Sequence, residues 1–216
     1  MKKNMTELII WIVLGIPFIA AFIFWDKLPD RMAIHFNFSG DADGFGNKLP
    51  GILMLPVINL LVWLLLKFLP KFMMTQQQFD LFSKRYNIIR LLVHSFITAL
   101  YLVILMYTLQ YNTNVLLFIA YGISILLLVT GNYLNNIKPN NFIGIKTPWT
   151  LKNADVWRKT HHFTSRLWVA ASLIIMCIIP FVSQLLLAKL LIAYFIIITI
   201  PPFIYSYIIS KKTITP

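Results

Sequence analysis

The sequence is short of cysteine, of acidic residues and of charge in general. It has one cysteine, seven Asp and Glu residues of which Glu7 is the single glutamate, and only 12% charged residues. One cysteine excludes a disulfide framework. A soluble globular domain carries about 25% charged residues. Because 59% of the residues are hydrophobic and 15% are aromatic, the composition excludes an ordinary soluble domain.

The few charges that are present are strongly biased toward one sign. The chain has 19 Lys and Arg residues and a formal net charge of +12. In a soluble protein this excess would suggest binding to nucleic acid, but the apolar composition argues against direct contact with nucleic acid. Lys and Arg accumulate in the cytoplasmic loops of membrane proteins, and we interpret the excess in that way.

Six apolar runs are long enough to cross a bilayer, which needs about 20 apolar residues per helix. The runs are continuous and do not alternate with polar residues, so they predict helices and not the strands of a barrel. Their approximate bounds are Leu8–Phe24, Gly51–Leu69, Ile88–Leu109, Val115–Leu134, Leu167–Leu186 and Leu190–Ile209. We therefore predict an all-α membrane protein with six transmembrane helices, a short structured outer loop and an amphipathic inner-loop helix.

The order of the spans and loops suggests three segments. Residues 1–69 form an N-terminal helix pair with the outer loop, residues 70–130 hold central membrane helices, and residues 131–216 hold the inner loop and a C-terminal helix pair. Short hairpin links are expected at Gln110–Asn114 and at Ala188–Lys189.

The distribution of basic residues predicts the orientation in the membrane. If the N-terminus lies in the cytosol, only Lys27, Arg31, Lys48 and Lys189 fall outside, and the other fifteen Lys and Arg residues fall inside. Cytoplasmic loops carry the excess of Lys and Arg. The sequence therefore predicts a multi-pass protein of the cell membrane with both termini in the cytoplasm.

The outer loop between the first two spans has the features of a compact cap. Apolar residues alternate from Met32 to Phe38, which is typical of a strand, and glycines follow that favour a tight turn. The run Asp41–Gly44 resembles the start of a calcium loop, but Phe45 stands at the next liganding position. We predict a cap held by Asx turns, with no metal. The cations available to pair with its acidic residues are Lys27, Arg31 and Lys48.

The inner segment after the fourth span predicts a loop followed by a helix. Pro139 and Pro148 exclude one continuous helix through the segment. Asn153 is a suitable N-cap, and Asp155 is favourable in a first helical turn. An amphipathic helix follows that includes Trp157, and it is expected to lie at the membrane surface before the fifth span.

Polar residues and prolines inside the spans demand partners. The third span has Arg90, His94, Thr98 and Tyr101 on one face. An arginine at the bilayer centre costs about 2.5–3.5 kcal/mol, so this face is expected to point into the bundle or toward headgroups, with Asn59 and Asn132 as candidate partners. The prolines within predicted spans are Pro17, Pro56, Pro180, Pro201 and Pro202, and each frees a backbone carbonyl.

Two groups of motifs carry a resemblance to a known family. The segments Gly131–Tyr133, Lys138–Asn140, Gly144–Leu151 and Val156–His161 together resemble the signature of the SdpI family, bacterial membrane proteins that confer immunity to a secreted killing peptide. Leu28-Pro29, His35-Phe36-Asn37, Gly40 and Asp43-Gly44 resemble the domain of unknown function that begins many members. The two similarities cover most of the chain in the expected order.

The resemblance implies an integral membrane immunity protein that gives resistance to a toxic peptide. In the best-known system of the family, such a protein also retains a transcriptional repressor at the membrane. The implied partners are the lipid bilayer, a secreted toxin peptide at the outer face and a cytosolic repressor at the inner loops. The implied binding residues of the inner motif are Asn132, Pro139, Asn140, Gly144, Lys146, Thr147, Pro148, Trp149, Trp157 and His161, and those of the outer loop are Pro29, His35, Asn37, Gly40, Asp43 and Gly44.

Two other functional classes and a structural role for the inner motif stay open at this stage. A metal-dependent membrane enzyme would need a cluster such as His94, His161 and His162 with a general base, and no His-Glu-x-x-His element is present. A small transporter would favour paired repeats and charges at the membrane midplane, and neither is visible. We therefore predict a protein that is not an enzyme and needs no cofactor. Pro148 and Trp149 would serve equally well to shape a surface turn.

Overall fold

The computed structural model describes residues 3–214, and within them the chain is mostly helical. The helices are α1 (Lys3–Phe24), α2 (Lys48–Met73), α3 (Gln76–Asp80), α4 (Ser83–Thr108), α5 (Val115–Leu134), α6 (Pro148–Lys152), α7 (Ala154–Ile178) and α8 (Gln184–Ile214). Of the helices in these residues, all except the short α3 and α6 are long and apolar enough to cross a membrane. The predicted six-span, all-α membrane fold is confirmed.

The six long helices pack as two groups of three. Helix α4 packs against α1 and α2, helix α7 packs against α5 and α8, and the contact between α4 and α5 joins the groups. Ala20, Met32 and Ile52 are buried in the core of the first group, and Ile175 and Leu187 in that of the second. Large apolar side chains cover the outside of the bundle, which suits a bilayer and not water.

The link between α1 and α2 forms the small sheet of the protein. Strands β1 (Arg31–Phe36) and β2 (Ala42–Asn47) pair antiparallel, with Arg31 opposite Asn47 and His35 opposite Gly44. The strand predicted from the alternation is confirmed, and its partner β2 was not expected.

We call this end of the bundle the hairpin end. We call the opposite end, where α3, α6 and most Lys and Arg residues lie, the basic end.

The fifth span differs from its predicted bounds. Helix α7 runs without a break from Ala154 to Ile178, so the segment expected to lie along the membrane surface is the first part of the spanning helix. A short 3-10 turn at Ile179–Phe181 ends it, and the hairpin link predicted at Ala188–Lys189 is wrong because both residues lie inside α8. The reason is Pro180, whose ring and missing N–H stop the helix.

Three of the prolines inside helices are matched by side-chain donors from neighbouring helices. Each proline leaves the carbonyl four residues before it without its usual N–H donor. Pro17, Pro70 and Pro202 lie inside α1, α2 and α8. Val13 O accepts a hydrogen bond from Thr98 Oγ1 at 3.0 Å, and Leu66 O accepts one from Tyr86 Oη. Ile198 O accepts one from Trp168 Nε1 at 2.8 Å. These bonds replace the lost helical ones.

The pairing of Pro70 with Tyr86 gives a testable coupling. Tyr86→Phe removes only the hydroxyl and leaves Leu66 O without a donor, which is expected to cost about 1–3 kcal/mol. In a Pro70→Ala background the new N–H at position 70 can bond to Leu66 O, so Tyr86→Phe should cost much less. Thermal unfolding of the four proteins in detergent, followed by circular dichroism, measures the coupling. Additive effects would contradict this explanation.

The close approach of α5 to α7 depends on Gly131. A Cβ at this position would lie 2.8 Å from the Cβ of Trp168 and 3.4 Å from the backbone oxygen of Ser165. Gly131→Ala is therefore expected to lower the unfolding temperature, with an overpacking cost of about 1–3 kcal/mol. Gly15→Ala in α1 is the matched control, because a Cβ there meets nothing within 4 Å. Equal unfolding temperatures for the two variants would contradict the prediction.

Candidate functional site

The turn between β1 and β2 is fixed by a side chain and by a glycine. Asn37 Oδ1 accepts hydrogen bonds from the backbone N–H of Ser39 at 2.8 Å and of Asp41 at 3.0 Å, which confirms the predicted Asx turn. Gly40 has φ +83°, a conformation that other residues adopt with difficulty. A Cβ at Gly40 would lie 2.7 Å from Oε1 of Gln184. The turn is therefore docked closely against the start of α8.

The other predicted outer-loop residues lie on the exposed face of the hairpin. His35 Nδ1 and Asp43 Oδ1 form a hydrogen bond between the two strands, and both side chains are exposed. Gly44 lies opposite His35, where a Cβ would come within 2.8 Å of the histidine Cβ. Pro29 is exposed just before β1. The hairpin thus brings His35 and Asp43 together and holds them at the surface.

The expected pairing of the cap's cations with its acidic residues is wrong. Lys27 Nζ lies 5.8 Å from the ring centroid of Phe24, and Lys48 Nζ lies 4.7 Å from that of Trp25. Arg31 Nη2 donates to the backbone oxygen of Phe45 at 3.2 Å. Aromatic faces attract cations near an apolar surface. The two lysines therefore contact aromatic rings in place of carboxylates, and a count of charged residues does not predict such contacts.

A cavity lies between the hairpin and the link from α4 to α5. Its volume is about 420 Å³. The wall includes Pro29 and Arg31 from the hairpin side and Tyr107 and Tyr111 from the other. Tyr107 also fixes the hairpin, since its ring meets that of Phe36 edge-on at 5.1 Å between centroids. The cap and α4 therefore form one surface with a concave centre, whose wall includes the aromatic residues Phe45, Tyr107 and Tyr111.

At the basic end, the loop of residues 135–153, which we call the α6 loop, satisfies its own polar groups. Asn140 Oδ1 accepts from the backbone N–H of Phe142 and of Ile143, each at 2.8 Å, and its Nδ2 donates to Lys138 O. Thr147 and Thr150 form a capping box that starts α6, with Pro148 in its first turn. Asn153 caps α7 as predicted. These bonds let a loop without regular structure pack tightly.

Trp157 and His161 hold the α6 loop against α7. Both are 1% exposed, and their rings stack at 4.0 Å between centroids. Trp157 Nε1 donates to Ile137 O at 2.7 Å, and the backbone N–H of Ile145 donates to His161 Nε2 at 3.0 Å. His161 Nδ1 lies 2.8 Å from Trp157 O. Since Nε2 accepts and Nδ1 donates, the bonding pattern assigns a neutral ring that serves the fold.

The remaining residues of the inner motif divide into an anchor and an exposed group. Trp149 Nε1 donates to Ser206 Oγ at 2.9 Å, which ties the α6 loop to α8. The exposed members are Asn132, Pro139, Lys146 and Pro148. Asn140, Gly144, Thr147, Trp149, Trp157 and His161 thus support the loop, and a partner would meet only the exposed group.

The polar face of α4 points into the bundle, as the sequence indicated. Arg90, His94 and Thr98 are buried, and Asn59 bonds to His94 Nδ1 at 2.8 Å and to Thr98 Oγ1 at 3.1 Å. Asn59 is therefore the predicted partner, whereas Asn132 is exposed at the end of α5 and the prediction for it is wrong.

Sequence reasoning missed the carboxylate that pairs with Arg90. Arg90 Nη1 donates to Glu7 Oε1 at 2.6 Å and to Asn87 Oδ1 at 3.3 Å. The side chain of Arg90 is 5% exposed and that of Glu7 is 27% exposed. The sequence did hold a signal for this pair, since Glu7 and Arg90 are opposite charges near the same end of two spans. A charged side chain in lipid is stabilised by a partner of opposite charge.

The histidines do not form a metal site in the part of the chain that the structure describes. His94 bonds to Asn59, His161 to the α6 loop, and His162 Nδ1 to Asn135 Oδ1 at 2.7 Å. Within residues 3–214, no three His, Cys, Asp or Glu side chains gather where an ion would bind. The cluster considered for a metal-dependent enzyme is therefore not assembled.

These features define a multi-pass membrane protein with a structured cap at one end and a self-supporting loop at the other. Residues 12–60 match the profile of a domain of unknown function, DUF1648, and residues 136–206 match that of the SdpI/YfhL protein family. The chain is 28% identical over 212 residues to Immunity protein SdpI of Bacillus subtilis (strain 168), an alignment that covers 98% of each chain. The similarity to the SdpI family is confirmed. No solved structure matches the chain.

The structural role of the inner motif is tested at Gly144. Its φ is +131°, and a Cβ would lie 2.3 Å from His161 Nε2 and 2.8 Å from a ring carbon of Trp157. Gly144→Ala is expected to lower stability by about 2–4 kcal/mol, from backbone strain and overpacking together. Thermal unfolding in detergent measures the loss. The exposed neighbour Lys146→Ala should unfold close to the wild type, and a similar loss in both variants would contradict the assignment.

Proposed function

We propose that this chain is a membrane immunity protein that gives its cell resistance to a secreted toxic peptide and that is not an enzyme. The observation that carries the proposal is the alignment with an immunity protein over 98% of both chains. The order of the two matched segments, at residues 12–60 and 136–206, supports it. The fold is compatible, because it presents a cap and a loop at opposite ends of a six-helix bundle.

The orientation we propose places the basic end in the cytoplasm and the hairpin end outside. Of the Lys and Arg residues within residues 3–214, only Lys27, Arg31, Lys48 and Lys189 belong to the hairpin end. The positive-inside rule favours the cytoplasm for the end with the larger number. A secreted peptide would then meet the hairpin end of the bundle.

The cavity at the hairpin end is the surface that we propose for the toxic peptide. It has a volume of about 420 Å³, within the range of sites that hold a small ligand or one large side chain. Tyr111 is 59% exposed and Phe45 is 47% exposed at its edge. Exposed aromatic residues around a pocket are the usual anchors of a binding surface. These features suit an apolar side chain of an extended peptide.

A cytosolic transcriptional repressor is the second partner that we propose, at the opposite end. The residues available to it in the inner motif are Asn132, Pro139, Lys146 and Pro148, because the buried members hold the α6 loop. This division assigns protection to the hairpin end and repressor retention to the basic end.

Survival of a sensitive bacterium tests the proposal. The gene is expressed in a strain that lacks its own immunity gene, and survival is measured against secreted killing peptides. We expect protection from the cognate peptide. Tyr111→Ala and Phe45→Ala should each weaken it about fivefold or more, because one aromatic contact is worth about 1 kcal/mol or more. Phe181→Ala is the matched control, an aromatic residue that is 86% exposed at the same end but outside the cavity.

Membrane levels of each variant are compared by immunoblot, so that loss of protein is distinguished from loss of binding. No protection by the intact gene against any of the peptides would reject the immunity function. Equal weakening by Phe181→Ala would reject the cavity as the peptide site. Lys146→Ala, at the basic end, should leave survival unchanged.

A further inference from the structure

Arg90 is buried with only part of its hydrogen-bonding capacity used. A guanidinium has five N–H donors in a planar fork, and here one nitrogen, Nη1, makes the contacts with Glu7 and Asn87. Its Nε and Nη2 have no hydrogen-bond partner among residues 3–214. The pairing with Glu7 is therefore end-on, and two nitrogens of the buried fork lack an acceptor.

The surroundings of Arg90 carry an excess of positive charge. Arg90, Lys67, Lys71 and Glu7 line one cavity at the basic end, so three cations accompany one carboxylate. The two ammonium groups lie over aromatic rings, with Lys67 Nζ 4.4 Å from the centroid of Trp63 and Lys71 Nζ 5.0 Å from that of Phe68. Neither lysine forms an ion pair with a carboxylate in the part of the chain that the structure describes. Their charge is not cancelled within the site.

The cavity is large enough for a ligand and has the lining of an amphipathic one. Its volume is about 520 Å³, within the usual range for small-molecule sites. The charged groups are joined by apolar and aromatic residues, among them Leu66, Met74 and Phe79. A ligand with an anionic group next to an apolar group would complement both the cationic and the apolar residues of the wall.

We propose that this cavity binds a phosphate group, carried either by an anionic phospholipid or by a small soluble molecule. A phosphate offers several acceptor oxygens, enough for the unpartnered nitrogens of Arg90 and for the two lysines at once. Basic pockets between membrane helices near the headgroup level are suited to anionic lipid heads. The cavity lies at the end of the bundle opposite the hairpin, so the proposal does not rest on the immunity function.

The test uses the full chain in phosphatidylcholine nanodiscs, with and without phosphatidylglycerol, and in a third arm with inorganic phosphate added to pure phosphatidylcholine discs. The unfolding temperature reports stabilisation by each probe, and native mass spectrometry reports phosphatidylglycerol retained by the protein. Lys67→Gln, Lys71→Gln and the double variant are compared with the wild type. Lys84→Gln is the matched control, since Lys84 is exposed at the same end and does not line the cavity.

We expect at least one probe to stabilise the wild type, and each lysine removed to weaken its binding about fivefold. Stabilisation by phosphatidylglycerol alone identifies a lipid head as the source, and stabilisation by inorganic phosphate identifies a soluble one. No response of the wild type to either probe would overturn the proposal. An equal loss of probe binding in Lys84→Gln, or no loss in the double variant, would also overturn it. The probe would then be attracted by the whole basic surface and not bound in the cavity.

Discussion

The constraint on which the structure depends is that polar groups inside lipid must find partners within the protein. Five prolines lie inside α1, α2 and α8, and the carbonyls freed by three of them accept hydrogen bonds from Thr98, Tyr86 and Trp168 of neighbouring helices. The buried Arg90 meets the same requirement in part, because its Nη1 donates to Glu7 while its Nε and Nη2 have no partner among residues 3–214. Each of these bonds joins two helices, so satisfying the polar groups also fixes how the helices lie against one another.

The two groups of helices meet this constraint in different ways. In the first group, side chains bond to side chains and carbonyls across the bundle, as in the contacts of Asn59 with His94 and Thr98. Removing one partner of a buried ion pair such as Glu7 and Arg90 typically costs about 3–5 kcal/mol. In the second group, the α6 loop turns its backbone toward Trp157 and His161. The buried bonds of the first group thus include an ion pair, whereas those of the α6 loop join backbone groups to neutral side chains.

Much of this structure could be predicted from the sequence, and the misses have physical causes. Long apolar runs and the Asn153 cap are local signals, so six spans and the start of α7 were within reach. The break near Pro180 was misplaced because hydrophobicity continues through it, while only the proline interrupts the helix. The cation partners in the cap, such as Trp25 for Lys48, depend on distances between elements that no local pattern encodes.

In the candidate sites too, local sequence patterns were predictable and contacts between distant elements were not. The motif residues were found from their pattern, but the pattern does not distinguish His161, which supports the loop, from Lys146, which is exposed. The basic-end cavity was not predicted at all. Its members come from α1, α2, α3 and α4, and only packing brings Glu7 and Lys67 to Arg90.

Helix α4 connects the two surfaces for which we propose functions. Tyr86 and Arg90 near its start line the basic-end cavity, and Tyr107 near its end lines the cavity beneath the hairpin. Between them, His94 and Thr98 are bonded to Asn59 of α2, and Thr98 also to α1. A helix held at several depths by buried bonds resists sliding, because a shift would break all of them together. Helix α4 therefore holds the two cavities at a fixed separation.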